Sequence, residues 1–412
     1  MRTIADVDPI AAVRDIPAFE GAPRARMDAV ARIAAAYAEA VDQDGRFPAE
    51  TFEALKAARL LGVMVPVHLG GEGLGLGQTA DLCFALGRAC SSSALIFAMH
   101  QVKAACLVRH HGHSPWQLDF LRRLAREQLL LGSSTTEGNA GGAVRKSSAP
   151  IEPTPEGFHL MRAATVVSYG EQADAIVTTA RRSAEAAESD QVLAVVLKQD
   201  YRLERMGRWN AMGMRGTCSH AFALEATGQA DQILPVPYAE IHARTMTASA
   251  HVLWGAVWAG IAAAAVERAR LYLRKAARGA PGGAAPGASP PGAPHLAEAQ
   301  AGLQTLCTLI AGFTERHERI MDQPSAVEAL DHQTAISLLK VQASELAVSV
   351  VMQALRTCGL SGYRNDGETS VSQYLRDVLS APLMISNDRI LADVKTAALM
   401  DRGPTSIFGD AS

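Results

Sequence analysis

The chain is short of several things that would declare a function. Aromatic residues make up only 5% of its 412 positions, and 39 basic against 42 acidic side chains leave a formal charge of -3. So near a balance gives no long-range field to draw nucleic acid or an anionic membrane, and neither is expected as a partner. The six cysteines (Cys83, Cys90, Cys106, Cys218, Cys307 and Cys358) form no CxxC pair. Scattered in this way they read as reduced thiols, mostly small core hydrophobes, and not as a disulfide or zinc framework; no metal is expected. The opening residues, MRTIADVDPIAAVRD, hold no apolar stretch long enough for a secretory signal. The longest apolar run, VLWGAVWAGIAAAAV at 252–266, is too short to span a bilayer comfortably and fits a helix inside a bundle. These absences place the protein in the cytoplasm.

What is present is ample material for a core, 48% hydrophobic residues against 20% charged, and a length that gives roughly two to three domains. From Arg24 to Arg126 the apolar spacing is helical, interrupted by the glycine loop LGGEGLGLG, with a long helical stretch from Thr79 to His111. Near Leu129 the character changes to short β-rich runs divided by Gly, Pro, Asn and Asp: ATVVSY, DAIVTTA, VLAVVLK, SHAFALE and QILPVP. Helical spacing returns from about Ala239, broken by the Gly/Pro-rich loop Gly279 to Pro294. The pattern predicts an α+β protein in three parts: a helical domain over 1–128, a β barrel over 129–238 and a C-terminal four-helix bundle over 239–412.

Four segments, in order, carry a resemblance. LGSSTTEGNAGG (Leu131 to Gly142) looks like a flavin-facing motif usually written TEP-x-AGSD, and ATVVSYGEQADAIV like the strand pair that follows it. GMRGT (Gly213 to Thr217) looks like a GMRGS turn, and CGLSGYRNDGETSVSQYLRD like a GGxGY stretch ending in an RD pair. Together these resemble the acyl-CoA dehydrogenase superfamily over nearly the whole chain. The resemblance implies FAD, with Thr135, Thr136 and Ser168 giving donors to the ring, where reduction builds up negative charge. It implies that Gly141 and Gly142 let the backbone approach substrate closely. Gly359, Gly362 and Tyr363 would meet the adenosine part across a dimer interface, and Asn387 and Arg389 would add further contacts. A shared site of that kind implies a homodimer or homotetramer.

The family's usual catalytic Glu, a short way past the RD pair, corresponds here to Ile385, which cannot take a proton. The stretch TMTASAHVLWG, where other members carry the Glu, has His251 and no carboxylate. Asp388, His251 and His100 are the candidate bases. The plainer readings are an N-cap for Asp388 and hydrogen-bonded core residues for the histidines. Arg376 and Asp377 read by default as a surface ion pair. The resemblance implies oxidation of an acyl thioester, on CoA or a carrier protein, at its α,β carbons, with electrons passing to an electron-transfer protein. The missing Glu leaves two alternatives: a monooxygenase on the same fold using reduced flavin from a flavin reductase and O2, or a catalytically silent FAD-binding subunit.

Overall fold

The structure is a computed structural model that describes residues 20–137, 146–279 and 290–400. Five helices come first: α1 (Pro23–Asp44), α2 (Ala49–Ala57), α3 (Leu76–Gly87), α4 (Ser91–His110) and α5 (Pro115–Glu127). Pro23 and Pro115 open their helices at the first turn, where a missing N–H costs nothing. Gly45 closes α1 in the left-handed conformation at φ 60°. The helical stretch expected from Thr79 to His111 is two helices, α3 and α4, separated at 88–90.

Seven strands follow: β1 (Leu131–Ser134), β2 (Glu152–Thr154), β3 (Gly157–Val167), β4 (Ala175–Arg181), β5 (Gln191–Leu197), β6 (Tyr201–Gly207) and β7 (His220–Gly228). The expected barrel is built as two sheets, in the orders β1-β4-β5 and β2-β3-β7-β6. β1 runs parallel to β4, and the other pairings are antiparallel. β5 is buried along its whole length, so VLAVVL reads as a continuous apolar run. The run QILPVP makes only the isolated pairing of Ile233 with Ala194 before the chain turns helical.

The last part holds α6 (Tyr238–Ile241), α7 (Thr247–Gly279), α8 (Ala293–Ile320), α9 (Pro324–Val327), α10 (Leu330–Cys358), α11 (Leu360–Tyr363), α12 (Ser372–Val378) and α13 (Asn387–Met400). Helix α10 packs on α7, α8 and α13, while α3 and α4 pack on the other side of α7. The run 252–266, read as too short for a bilayer, belongs to a continuous helical path over Tyr238–Arg278. That path, α4 and α10 are each long and apolar enough to cross a membrane by length and composition. In the first two, 89% of the apolar window is buried inside the protein, against 50% in α10.

Arg376 and Asp377 do not pair with each other on the surface. Arg376 pairs with Asp42 of α1 and also donates to the Met212 carbonyl at 3.0 Å. Asp377, 1% exposed, accepts the Met214 N–H at 2.6 Å. Burial pushes the Asp377 carboxyl up to about 6 against the pull of that bond. The two residues thus tie α12 to the first helix and to the GMRGT turn.

Helices α3 and α7 touch backbone to backbone. A Cβ on Gly260 would stand 2.5 Å from the Phe84 carbonyl oxygen, and one on Gly87 2.7 Å from the Val257 oxygen. Gly260→Ala is therefore expected to cost a net of about 1–2 kcal/mol, because overpacking at that contact outweighs the helix propensity gained. Gly312→Ala in α8, where nothing lies within 4 Å, supplies the control and is expected to be neutral or stabilising by up to about 1 kcal/mol. Denaturant unfolding of the two variants measures the difference; equal stabilities would contradict the close crossing.

Candidate active site

A cavity of about 630 Å³ opens where α4, the β module, α7 and the segment 379–389 converge. Its walls are largely apolar, with Leu95 and Met99 from α4, Met212 and Met214 from the turn after β6, and Leu379 and Ile385 from the C-terminal segment. That size and lining suit an organic cofactor with a substrate beside it.

Polar groups enter from two sides. Thr135 and Thr136, half-buried, follow the end of β1. Ser168 follows β3, and its hydroxyl lies 2.8 Å from that of Ser219, which in turn lies 2.7 Å from that of Thr217. Thr217 donates to the Met214 carbonyl at 2.8 Å, so the chain of hydroxyls is anchored on backbone. From α7 come His251 and Trp254, ring centroids 6.1 Å apart. The Trp254 Nε1–H is buried and has no protein acceptor.

His251 is 6% exposed, and its Nδ1 donates to the Ile336 carbonyl at 2.9 Å. A carbonyl can only accept, so Nδ1 carries the proton and Nε2 is left with the lone pair. Burial, with the nearby Lys340 charge, pushes the imidazole down to about 4 despite that bond. His100 is tied at both nitrogens: the Leu131 N–H donates to Nδ1 at 3.0 Å, and Nε2 donates to the Leu61 carbonyl at 2.7 Å. It fixes the start of β1, lies outside the cavity lining, and has no free nitrogen for proton transfer.

Ile385 does reach the cavity, from the position where a base was sought. Its φ of 52° is unusual for a β-branched residue, and its carbonyl accepts from Lys340 Nζ at 2.7 Å. Lys340, fully buried, also donates to Asn387 Oδ1 at 2.7 Å and reaches the Pro382 carbonyl at 3.5 Å. Asn387 donates on to Ser344 at 3.0 Å and Glu345 at 2.8 Å. It clamps α13 onto α10 and does not line the cavity.

The sequence candidates thus divide. Thr135, Thr136, Ser168, His251 and Arg389 line one cavity. Asp388 is exposed on the first turn of α13 and is not part of the cavity lining. Gly359, Gly362 and Tyr363 lie at the far end of α10 and in α11. Gly359 has φ 55°, a conformation that favours glycine, and Tyr363 is 70% exposed. Gly141 and Gly142 lie outside the described residues. Sequence reading missed Lys103, Trp254 and Lys340. The signal for the two lysines is a cation set among apolar neighbours in the middle of a helix, in HQVKAAC and SLLKVQA.

The buried polar complement fits a flavin: hydroxyl donors at Thr135, Thr136 and Ser168, an unpartnered indole N–H at Trp254, and apolar walls for the ring. Glu137, the carboxylate nearest to these in sequence, is engaged elsewhere. Burial alone would raise its pKa, but Arg162 and hydrogen bonds from Ser147 and Ser148 hold it below its ordinary value. Protonation of His251 near 4 makes a prediction for pH work. Ligand binding or turnover is expected to show no His251-dependent limb between pH 5.5 and 8. A limb near the ordinary histidine value of ~6.5 that disappears in His251→Asn would contradict this placement.

Residues 24–128 match the acyl-CoA dehydrogenase N-terminal domain, and residues 243–393 the acyl-CoA dehydrogenase C-terminal domain. Cyclohex-1-ene-1-carbonyl-CoA dehydrogenase of Geobacter metallireducens is 25% identical over 395 residues, 94% of this chain and 96% of its own. The amino sugar nitrososynthase DnmZ of Streptomyces peucetius is 26% identical over 359 residues, 83% of this chain and 84% of its own. Among solved structures, FMN-bound TdsC of Paenibacillus sp. A11-2 superposes with a TM-score of 0.81 at 19% identity, covering 94% of this chain and 99% of that one. At that identity the likeness concerns the fold.

Proposed function

The chain belongs to the acyl-CoA dehydrogenase superfamily and is a flavin-dependent oxidoreductase; from that premise we propose that it is a monooxygenase acting on a largely apolar substrate, with the flavin reduced by a separate reductase. One observation carries the reading. Among the described residues that line the cavity there is no Asp or Glu. Taking the α-proton from an acyl thioester requires a positioned base of adequate basicity. His251 holds its lone pair but protonates only near 4, and the His242 ring sits against the Thr247 hydroxyl at 3.2 Å. Ile385 stands at the matching place in the wall.

When bound, reduced flavin would supply the two electrons by which O2 gives one oxygen atom to substrate and the other to water. The chain's own contribution is binding and exclusion. Leu95, Met99, Met212 and Leu379 give the cavity apolar walls; with a substrate seated against them water would be displaced, which strengthens every hydrogen bond made inside it. Thr135, Thr136 and Ser168 would offer donors to the ring, where reduction builds up negative charge, and the anchored hydroxyl chain keeps Ser168 oriented. His251 Nε2 accepts a hydrogen bond without becoming charged at neutral pH.

FAD is our reading for the flavin, with the Gly359 to Tyr363 turn placed to meet its adenosine part in a neighbouring subunit. A homodimer or homotetramer is supported by the exposed apolar residues Leu338, Met352, Leu360 and Leu391 on α10, α11 and α13. A second reading, dehydrogenation of an acyl thioester on CoA or a carrier protein with electrons passed to an electron-transfer protein, is favoured by the full-length similarity to cyclohex-1-ene-1-carbonyl-CoA dehydrogenase.

Oxygen uptake tests the choice. Given NADH, a flavin reductase and a panel of apolar probes, neutral ones such as indole and acidic ones such as indole-3-acetate, the holoprotein is expected to consume O2 in a probe-dependent way with at least one of them and to release an oxygenated product. Uptake that yields only hydrogen peroxide, identical with and without any apolar probe, would count against the monooxygenase and move the assignment to the second reading.

A further inference from the structure

The chain buries two lysines in apolar helices and treats them differently. Lys340 is surrounded by oxygen, with the Ile385 carbonyl and Asn387 Oδ1 each at 2.7 Å. Lys103, on α4, is 4% exposed and lines the cavity. Among the described residues its Nζ reaches only the Met246 sulfur, at 3.7 Å, and a thioether is a weak acceptor. Among the described residues no carboxylate forms an ion pair with it, and the lining of the cavity contains none. The charge that acts on it from β3 is another cation, Arg162. Burial lowers Lys103 to about 8, partly offset by Cys106 and with a smaller lowering from Arg162. The ammonium is therefore still the majority form at neutral pH.

A buried ammonium with three N–H donors and no oxygen acceptor is a large desolvation cost that the fold alone does not offset. Lys340 shows how this same chain satisfies such a group when its role is structural. We propose that Lys103 recognises an oxyanion on the substrate, a carboxylate at the end of an apolar molecule whose body lies against Leu95, Met99 and Val102. Those three residues and Lys103 recur at helical spacing on the face of α4 that meets the cavity. The substrate class is then an apolar acid, not a neutral hydrocarbon. The inference rests on the cavity being the substrate site of the proposed reaction, and binding without turnover tests it separately from oxygenation.

The experiment is equilibrium binding to the oxidised holoprotein, read by calorimetry and by perturbation of the flavin spectrum. The probes are linear monocarboxylates of increasing length and their primary amides. The carboxylates are expected to bind at least about tenfold more tightly than the matching amides, the loss of one charge-assisted bond. Lys103→Met, close in volume and uncharged, is expected to abolish or reverse that preference while keeping its flavin. It is also expected to raise the unliganded thermal midpoint by a few degrees, since an unpaired buried charge is gone. Lys103→Gln supplies a second uncharged side chain, in which the preference is expected to be lost likewise. Equal affinity for acid and amide, a preference that survives both substitutions, or no binding of any carboxylate would each overturn the proposal. Loss of flavin from folded Lys103→Met would overturn it too, by assigning the ammonium to the cofactor.

Discussion

The contact on which most of the structure depends is the crossing of α3 and α7 at Gly87 and Gly260. There the two backbones approach so closely that neither position has room for a methyl group. Dispersion and apolar burial fall off steeply with separation, so this approach brings the apolar face of α7 into the core. Trp258, fully buried, lies two residues before the crossing. One and two turns further toward the N-terminus of α7 come Trp254 and His251, whose side chains reach the cavity. The packing that joins the first helices to the C-terminal bundle therefore also sets the depth and direction of the groups facing substrate. On the other side of α7, α10 holds Lys340 near the Trp258 ring at 5.8 Å and, through it, the Ile385 turn that closes the cavity.

Buried charge is placed sparingly, and each case has a different resolution. Arg162 is set against Glu137 at 3.4 Å, with serine donors completing the carboxylate. Asp377 accepts the Met214 backbone N–H, while its neighbour Arg376 pairs with Asp42, so the two together tie α12 to the GMRGT turn and to α1. Lys340 is wrapped in oxygen atoms. Each of these is a structural use of a costly group, because removing one partner would strand the other in a low-dielectric interior. The cavity stands apart: its charged residues are Lys103, Arg376 and Arg389, all basic. A site of that composition can hold an anion and a flavin. Among the described residues that line it there is no carboxylate to draw a proton from carbon.

Much of this was legible in the sequence. The helices of the two end regions follow from the 3.6-residue spacing of their apolar positions, and β4 and β5 from uninterrupted β-branched runs. β6 was not legible, because YRLERMG lies at the edge of its sheet with charged side chains facing solvent. The break between α3 and α4 was hidden because Arg88 to Cys90 contains neither proline nor glycine. At the site, motif order picked out Thr135, Thr136, Ser168, His251 and Arg389, which line one cavity. It could not distinguish Asn387 and Asp388 from Arg389, their neighbour on the same helix turn, since facing is decided by how α13 sits on α10. The two lysines looked alike along the chain. Only long-range oxygen acceptors, present for Lys340 and, among the described residues, absent for Lys103, separate a clamp from a recognition group.

The central claim is that no group lining this cavity ionises an acyl thioester at its α carbon. Its described lining holds no carboxylate, His251 protonates only near 4 and Lys103 stays mostly an ammonium at neutral pH. Hydrogen exchange measures that directly. Oxidised holoprotein would be incubated without oxygen in deuterated buffer with short-, medium- and long-chain acyl-CoA thioesters, and deuterium at the α carbon followed by mass spectrometry. The account predicts incorporation no faster than in buffer alone, with the oxidised flavin band unchanged throughout. Enzyme-dependent incorporation into any of these thioesters would contradict it and show that a proton-accepting group reaches the substrate after all.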